Sequence, residues 1–360
     1  MSVRASGRRS TAAAIALTAG ITAGAALLLT ACGPADGTAS DPAPSATSGA
    51  SGQPTPSGKG GSGGTGGNAG DDGANGSGAS PVGSSPKLNG TAHSGLTISD
   101  GTRYVVMNGT RVDFGTEVRD LAWSPTGAKA AFIDGDGDLA VSDPDGGGRV
   151  IVARNPGNQN WSHPTWQVRA NDPQNGLPAL DNLLFAGRQG STARLYGVPA
   201  TAHDGTPKAL SLNHESDDNV KPLPQTGNVW PSSAGKYGTA VYANTDDGKV
   251  YIRDDYLRQQ GYALTPGSEP AVGPTEDDGV VFVRSVGGHD HLFLETPQDG
   301  APRYEDLTPQ ATTDYTEPAF EPDGRTVVAR TPNGIVRLPV DGSHAPVKVS
   351  DYVGLPAYRA

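Results

Sequence analysis

Leu121–Val152 reads LAWSPTGAKAAFIDGDGDLAVSDPDGGGRVIV. Leu121-Ala122-Trp123 is a short apolar run that stops at Ser124-Pro125-Thr126-Gly127. Pro presets φ in a turn and Gly tolerates positive φ, so this tetrapeptide reverses the chain. A second apolar run, Ala130-Ala131-Phe132-Ile133, ends at Asp134-Gly135-Asp136-Gly137, a hairpin signal of the Asp-Gly type. Leu139-Ala140-Val141 is a third strand. Pro144-Asp145-Gly146 turns the chain again before Val150-Ile151-Val152. Four short antiparallel strands joined by tight turns make one sheet. Such a sheet cannot bury both of its faces alone and needs copies beside it.

Degenerate copies follow. The Ala122-Trp123 step recurs as Thr165-Trp166, Val229-Trp230, Ala271-Val272, Ala319-Phe320 and Ala357-Tyr358, with Pro164, Pro270, Pro318 and Pro356 preceding four of them. The intervals are 43, 64, 42, 48 and 38 residues. Four-stranded propeller blades repeat at about 40–50 residues, and the long interval marks an insertion after Trp166. Residues 88–120 carry three strand-like runs (Leu96-Thr97-Ile98, Tyr104–Met107 and Arg111–Phe114) but no aromatic opening strand. Leu355-Pro356-Ala357-Tyr358 opens a blade just before the sequence stops. The expected architecture is therefore all-β: a six-bladed β-propeller over residues 88–360 whose composite closing blade joins the last strand to the first three. Closure removes the open sheet edges that invite aggregation.

The repeat resembles that of the TolB family of WD40-like propellers, whose pattern runs Glu-Pro-Ala-aromatic-Ser-Pro-Asp-Gly before an apolar strand. Glu317-Pro318-Ala319-Phe320-Glu321-Pro322-Asp323-Gly324 departs from it at one position, and Trp123-Ser124-Pro125-Thr126-Gly127 follows it closely. The repeats at Trp166 and Trp230 lose the Asp-Gly turn. The resemblance implies an envelope or translocation-associated scaffold. Propellers host many unrelated activities, so it speaks for fold more than for function. No separate α/β domain of the kind TolB proteins carry is recognisable, so the resemblance does not carry over their full set of partners.

The first 31 residues read as a secretory signal. Arg4, Arg8 and Arg9 precede the apolar stretch Ala12–Leu29, and Leu29-Thr30-Ala31-Cys32 has the small residues of a lipoprotein cleavage site. Cys32 is the single cysteine, so no disulfide framework or cysteine metal site exists, and lipidation is its expected fate. Two or three acyl chains would hold the protein on the outer face of the cell membrane, since one chain alone is marginal. Arg8-Arg9 hints at twin-arginine export, but the general secretory route is favoured because Ser10-Thr11 is not the apolar pair such signals carry. Residues 32–87 are a Gly/Ser/Pro linker with Val82 as its one large aliphatic residue. A flexible chain of that length spans about 40 Å on average. The whole chain has 27 basic and 38 acidic residues, and loss of the three signal arginines leaves a formal charge of about −14. That charge opposes nucleic acid and anionic head groups and suits a cationic or neutral partner.

Four groups of residues are candidates for a site. Asp134, Asp136 and Asp138 alternate as at the start of a Ca²⁺ loop, but the sixth position is Leu139 instead of Gly and the twelfth is Asp145 instead of Glu. The hairpin-turn reading is preferred. The position before each opening strand holds Asp120, His163, Gly227, Glu269, Glu317 and Leu355. In a propeller these lie near one mouth of the central channel, where Asp120, His163, Glu269 and Glu317 would hold a cationic ligand or form a solvated acidic rim. His289-Asp290-His291 places two histidines on one strand face without a visible third ligand. Trp161, Tyr315 and Tyr352 lie in loops leading to opening strands, and such aromatics are typical interface anchors, although they would also pack under their own loops. Gln167–Asp181 and Asn213–Thr226 break the blade pattern, as binding loops often do.

No catalytic constellation, cofactor motif or complete metal site is found. The leading expectation is a monomeric, lipid-anchored propeller that binds an envelope or secreted protein. The alternative is an enzyme or a small-ligand or metal sensor at the channel mouth.

Overall fold

A computed structural model describes residues 87–214, 222–253, 260–275, 278–298 and 301–360. The signal segment, Cys32 and the linker up to residue 86 lie outside the described residues. Twenty-five strands and no helix are found among the described residues, grouped into six sheets. The blades are numbered from the composite one. Blade I combines Leu96–Ser99, Tyr104–Met107 and Thr110–Asp113 with the C-terminal strand Leu355–Tyr358. Blades II to VI open with the inner strands Arg119–Trp123, Asn160–Arg169, Asn228–Ala234, Ser268–Val272 and Thr316–Phe320. Each inner strand packs against that of the next blade, and Leu355–Tyr358 packs against Arg119–Trp123, which closes the ring. The six blades and the composite closure are those expected from the sequence.

Alternation within each strand explains how one sheet serves two neighbours. In blade II, Ala131, Ile133, Leu139 and Val141 join the cluster shared with blade III, which contains Trp161, Trp166, Leu183 and Phe185. Ala130, Phe132 and Ala140 point the other way and join Val105, Phe114 and Leu121 in the seam with blade I. Side chains of successive residues leave a strand on opposite faces, and both faces are buried, so the strands read as continuous apolar runs. Equivalent clusters fill the seams III–IV, V–VI and VI–I. Among the described residues the seam between blades IV and V has no such cluster. It contains a cavity of about 580 Å³ instead.

Closure is specific. The C-terminal strand pairs Leu96↔Tyr358 and Ser99↔Leu355 with no break between. Thr97 Oγ1 donates to Ala357 O (3.0 Å) and accepts from Trp123 Nε1 (2.9 Å), tying blade I to blade II. Arg359 donates from Nε to Gly127 O (2.8 Å) and lies over the Trp123 ring. Gly127 has φ 65° in the Ser124–Gly127 turn, and a Cβ there would collide with the backbone of Ala360. The turn glycine therefore also makes room for the chain end.

The insertion after Trp166 is ordered as strand for much of its length. Asn160–Arg169 and Leu180–Gln189 are ten-residue partners, and only the stretch between them is a connecting turn. Asn213–His214 adds a short parallel strand to the outer edge of blade IV. Residues 215–221 of the second irregular segment lie outside the described residues.

Candidate functional site

The inner strands of blades II to VI share one distortion. Each loses register with its neighbour: between Arg119 and Ala122, Ser162 and Thr165, Val229 and Ser232, Ser268 and Ala271, and Thr316 and Ala319. The residue at the head of each bulge is left-handed: Asp120 (φ 56°), His163 (51°), Trp230 (56°), Glu269 (47°) and Glu317 (52°). These five account for most of the non-glycine residues with positive φ among the described residues. Such a conformation costs an L-residue about 1–2 kcal/mol, and strain of this kind concentrates where it aims a side chain. Pro164, Pro231, Pro270 and Pro318 follow four of them. A proline has no N–H to leave unpaired where the bulge breaks the ladder. Leu121 stands in the fifth place, and its amide reaches Ser99 Oγ at 3.5 Å.

The bulge residues of neighbouring blades form an arc along the inner strands, linked in two parts. Asp120 Oδ2 accepts from the His163 amide at 3.0 Å and lies 3.7 Å from His163 Nδ1. The His163 ring stacks on Trp230, centroids 3.5 Å apart and planes 29° apart. Glu269 Oε2 accepts from the Glu317 amide at 2.7 Å. Arg330 Nε lies 3.0 Å from Glu317 Oε2, out of line for a hydrogen bond, and donates to Thr316 Oγ1 at 3.4 Å.

Burial dominates the electrostatics of this arc. It pushes the Glu317 carboxyl up to about 7, with the Arg330 charge opposing and the charges of Glu269 and Asp120 adding. Burial also raises Glu269, against the hydrogen bond from the Glu317 amide and the Arg330 charge. It lowers His163, against the pull of Asp120, and His163 Nδ1 has no hydrogen-bond partner among the described residues. The arc thus carries hydrogen-bond acceptors, an imidazole stacked on an indole face, and one carboxyl pushed up to about 7.

Of the residues expected at the channel mouth, Asp120 lies beside His163 and Glu269 beside Glu317, and the charges of Glu269 and Asp120 both act on Glu317. Gly227 does not belong with them. It lies in the loop before blade IV, where its carbonyl accepts from Thr245 N at 2.8 Å. The residue in register is Trp230, flagged by Trp230-Pro231 matching His163-Pro164. The step equivalent to Thr165-Trp166 is therefore Ser232-Ser233 instead of Val229-Trp230. Leu355 occupies the sixth position without a bulge, paired regularly to Ser99. Arg330, on the second strand of blade VI, had no signal in the repeat.

Trp161 requires a correction. It is 3% exposed, tilts onto Phe185 at 4.8 Å and donates from Nε1 to Gln159 Oε1 at 2.7 Å. It is a core residue of the II–III seam and leaves too little surface to anchor a partner. Trp161→Ala is expected to lose about 3–5 kcal/mol of stability in urea titration. A variant as stable as the parent would place the indole elsewhere. Tyr315 and Tyr352 are half-buried at the chain's approach to blades VI and I. Tyr315 packs on the V–VI cluster, and the Tyr352 ring has Lys87 Nζ at 5.0 Å.

The other two groups have local roles. Asp134 Oδ1 accepts from the amides of Asp136 and Asp138, both at 3.0 Å, and Asp138 Oδ1 accepts from Asn155 N at 2.7 Å. These carboxylates hold the hairpin turn. His291 is buried against Asp306 (2.9 Å), and His289 meets a different carboxylate, Asp314, at 3.4 Å.

No family model and no curated protein matches the chain. Solved structures do. TolB from Acinetobacter baumannii aligns over 73% of this chain and 65% of its own, with TM-score 0.51 and 15% identity. The chain thus spans a little less than two thirds of that protein. A nidogen/laminin complex structure aligns over 74% and 98%, with TM-score 0.50 and 10% identity. A puromycin hydrolase aligns over 76% and 49%, with TM-score 0.44 and 14% identity. At these identities the likeness is one of fold alone, a TolB-like propeller.

Proposed function

We propose that this chain is a lipid-anchored, extracytoplasmic recognition module whose channel mouth receives a basic segment of an envelope or secreted protein. The observation that supports it is the arc of five strained residues, four of them titratable, turned into one mouth. Two of the four titratable side chains, Asp120 and Glu269, also tie neighbouring blades through the His163 and Glu317 amides. Glu269 and Glu317 would accept from a lysine or arginine, while Trp230 and the half-buried Tyr315 and Tyr352 supply apolar contact. Lipidation at Cys32 and a linker of about 40 Å mean span would leave that mouth free above the membrane. The acidic chain steers basic partners and repels nucleic acid.

Cross-linking in the producing cell, read by mass spectrometry, tests this. A partner captured by the parent chain and by Lys208→Ala, on the outer strand of blade III, should be lost from Trp230→Ala/Glu269→Gln. Equal capture by the mouth variant would overturn the proposal.

One observation favours a second reading. A carboxyl near 7 beside another carboxylate is suited to proton transfer at neutral pH. Among the described residues no group of three or more His, Cys, Asp or Glu is placed to hold a metal ion, so this reading is of acid–base chemistry on a small ligand.

A further inference from the structure

The seam between blades IV and V differs from the other five. Its cavity of about 580 Å³ opens on the face where the inner strands end, opposite the bulge residues. The walls are largely apolar: Ile252 and Leu264 from blade IV, Val272 and Val280 from blade V. Tyr237, Tyr262 and Tyr304 also line it. Tyr262 and Tyr304 are exposed large side chains, and Tyr304 Oη donates to Leu264 O at 2.9 Å.

One charged group lines this cavity at depth. Glu295 is 5% exposed and sits in register between Val280 and Tyr304. Among the described residues its carboxylate has neither a hydrogen-bond donor nor a cation, and burial raises its pKa. With no partner in the protein, this carboxylate is available to a ligand that enters the apolar, tyrosine-lined cavity.

The same sheet face carries a cation further along the strand. Four residues along the strand from Val280, the Arg284 guanidinium lies 5.1 Å from the Phe282 centroid and 4.6 Å from that of Phe293. It donates to Thr265 Oγ1 (2.6 Å) and Pro266 O (2.9 Å) of blade IV. That half of the seam is closed by a cation on aromatic faces. The half at Glu295 has aromatic rings and a carboxylate; Lys236 Nζ lies 4.7 Å from the Tyr237 centroid, and Tyr262 and Tyr304 stand nearer the exposed rim.

We propose that the IV–V cavity is a binding site for a small organic ammonium ion with an apolar body, with Glu295 as counter-ion and Tyr262 and Tyr304 as aromatic walls. The carboxylate and the ring faces attract the ammonium group, and Ile252, Leu264, Val272 and Val280 take the hydrocarbon. The site is separate from the channel mouth and does not depend on the function proposed there.

Phenethylammonium chloride and its neutral analogue 2-phenylethanol are the probes, titrated by calorimetry into the full chain in detergent. The parent chain should bind the ammonium ion at least about tenfold more tightly than the alcohol, the discrimination a charge-assisted hydrogen bond supplies. Glu295→Gln should lose that preference while still binding the alcohol, Tyr262→Ala should weaken both, and Glu269→Gln at the mouth should change neither. Equal affinity for the two probes, no heat at millimolar probe, or unchanged discrimination in Glu295→Gln would each overturn the proposal. If Glu295→Gln does not fold, the probe pair on the parent chain and on Tyr262→Ala still decides.

Discussion

A chain ending at Gly354 is expected to lose at least about 5 kcal/mol of stability, a large share of what a domain possesses. The deleted residues are few, but they supply the whole inner strand of blade I. Without them Leu96–Ser99 becomes an open edge, Ala357 leaves the I–II seam, and the large side chain of Tyr358 leaves the VI–I seam. Burial of a side chain of that size contributes about 1.5–3 kcal/mol. Three tertiary ties go with them: Thr97 to Ala357, Arg359 to Gly127, and Tyr358 Oη to Glu321 Oε1 at 2.5 Å. Urea denaturation followed by tryptophan fluorescence measures the loss, because Trp123 lies under Arg359 at the closing seam. Tyr358→Phe separates closure from that single hydrogen bond and should cost only about 1 kcal/mol. A truncated chain with the parent's midpoint would mean that the ring does not depend on this strand.

Glu317→Gln is expected to stabilise the protein at alkaline pH and to leave it unchanged in acid. In the unfolded chain Glu317 titrates at its ordinary 4.5, whereas in the folded chain burial raises it to about 7. Between these values the folded protein holds a proton that the unfolded chain has released. Stability therefore falls as pH rises through that window and levels off above it. The side chain is only 12% exposed, so solvent screens little of the effect, and about 3 kcal/mol separates the two plateaus. The glutamine variant cannot ionise. Its advantage over the parent should be near zero at the acid end, grow through the window, and reach about 3 kcal/mol above it. Denaturation midpoints of both proteins across this pH range test the point, and parallel profiles would show that Glu317 is not desolvated. The same protonation removes a negative charge from the mouth, so a basic partner should bind more weakly below neutrality.

The blade count, the composite closure and the convergence of Asp120, His163, Glu269 and Glu317 were legible because their signals are local. Turn tetrapeptides such as Ser124–Gly127 and apolar runs such as Ala130–Ile133 specify hairpins by the conformations their residues allow. Repetition then leaves one economical way to bury both faces of every sheet. The X-Pro pairs at His163-Pro164, Glu269-Pro270 and Glu317-Pro318 marked the bulges. Trp230-Pro231 carried the same mark, but the more conspicuous aromatic of Val229-Trp230 shifted that repeat by three residues.

Sequence by itself determined that this protein is a closed propeller of six blades, because strand alternation and turn chemistry act over a few residues. Tertiary structure alone decided which way its key side chains face. Trp161 and Trp166 are an odd number of residues apart and would leave a regular strand on opposite sides. The bulge between Ser162 and Thr165 shifts the alternation by one, so both indoles enter the same seam and Trp161 is lost to partners. That bulge also sets His163 against Trp230 of the next blade. The IV–V cavity was equally out of reach: a cavity is a mismatch between two surfaces that meet only in the folded ring, and no single strand records it.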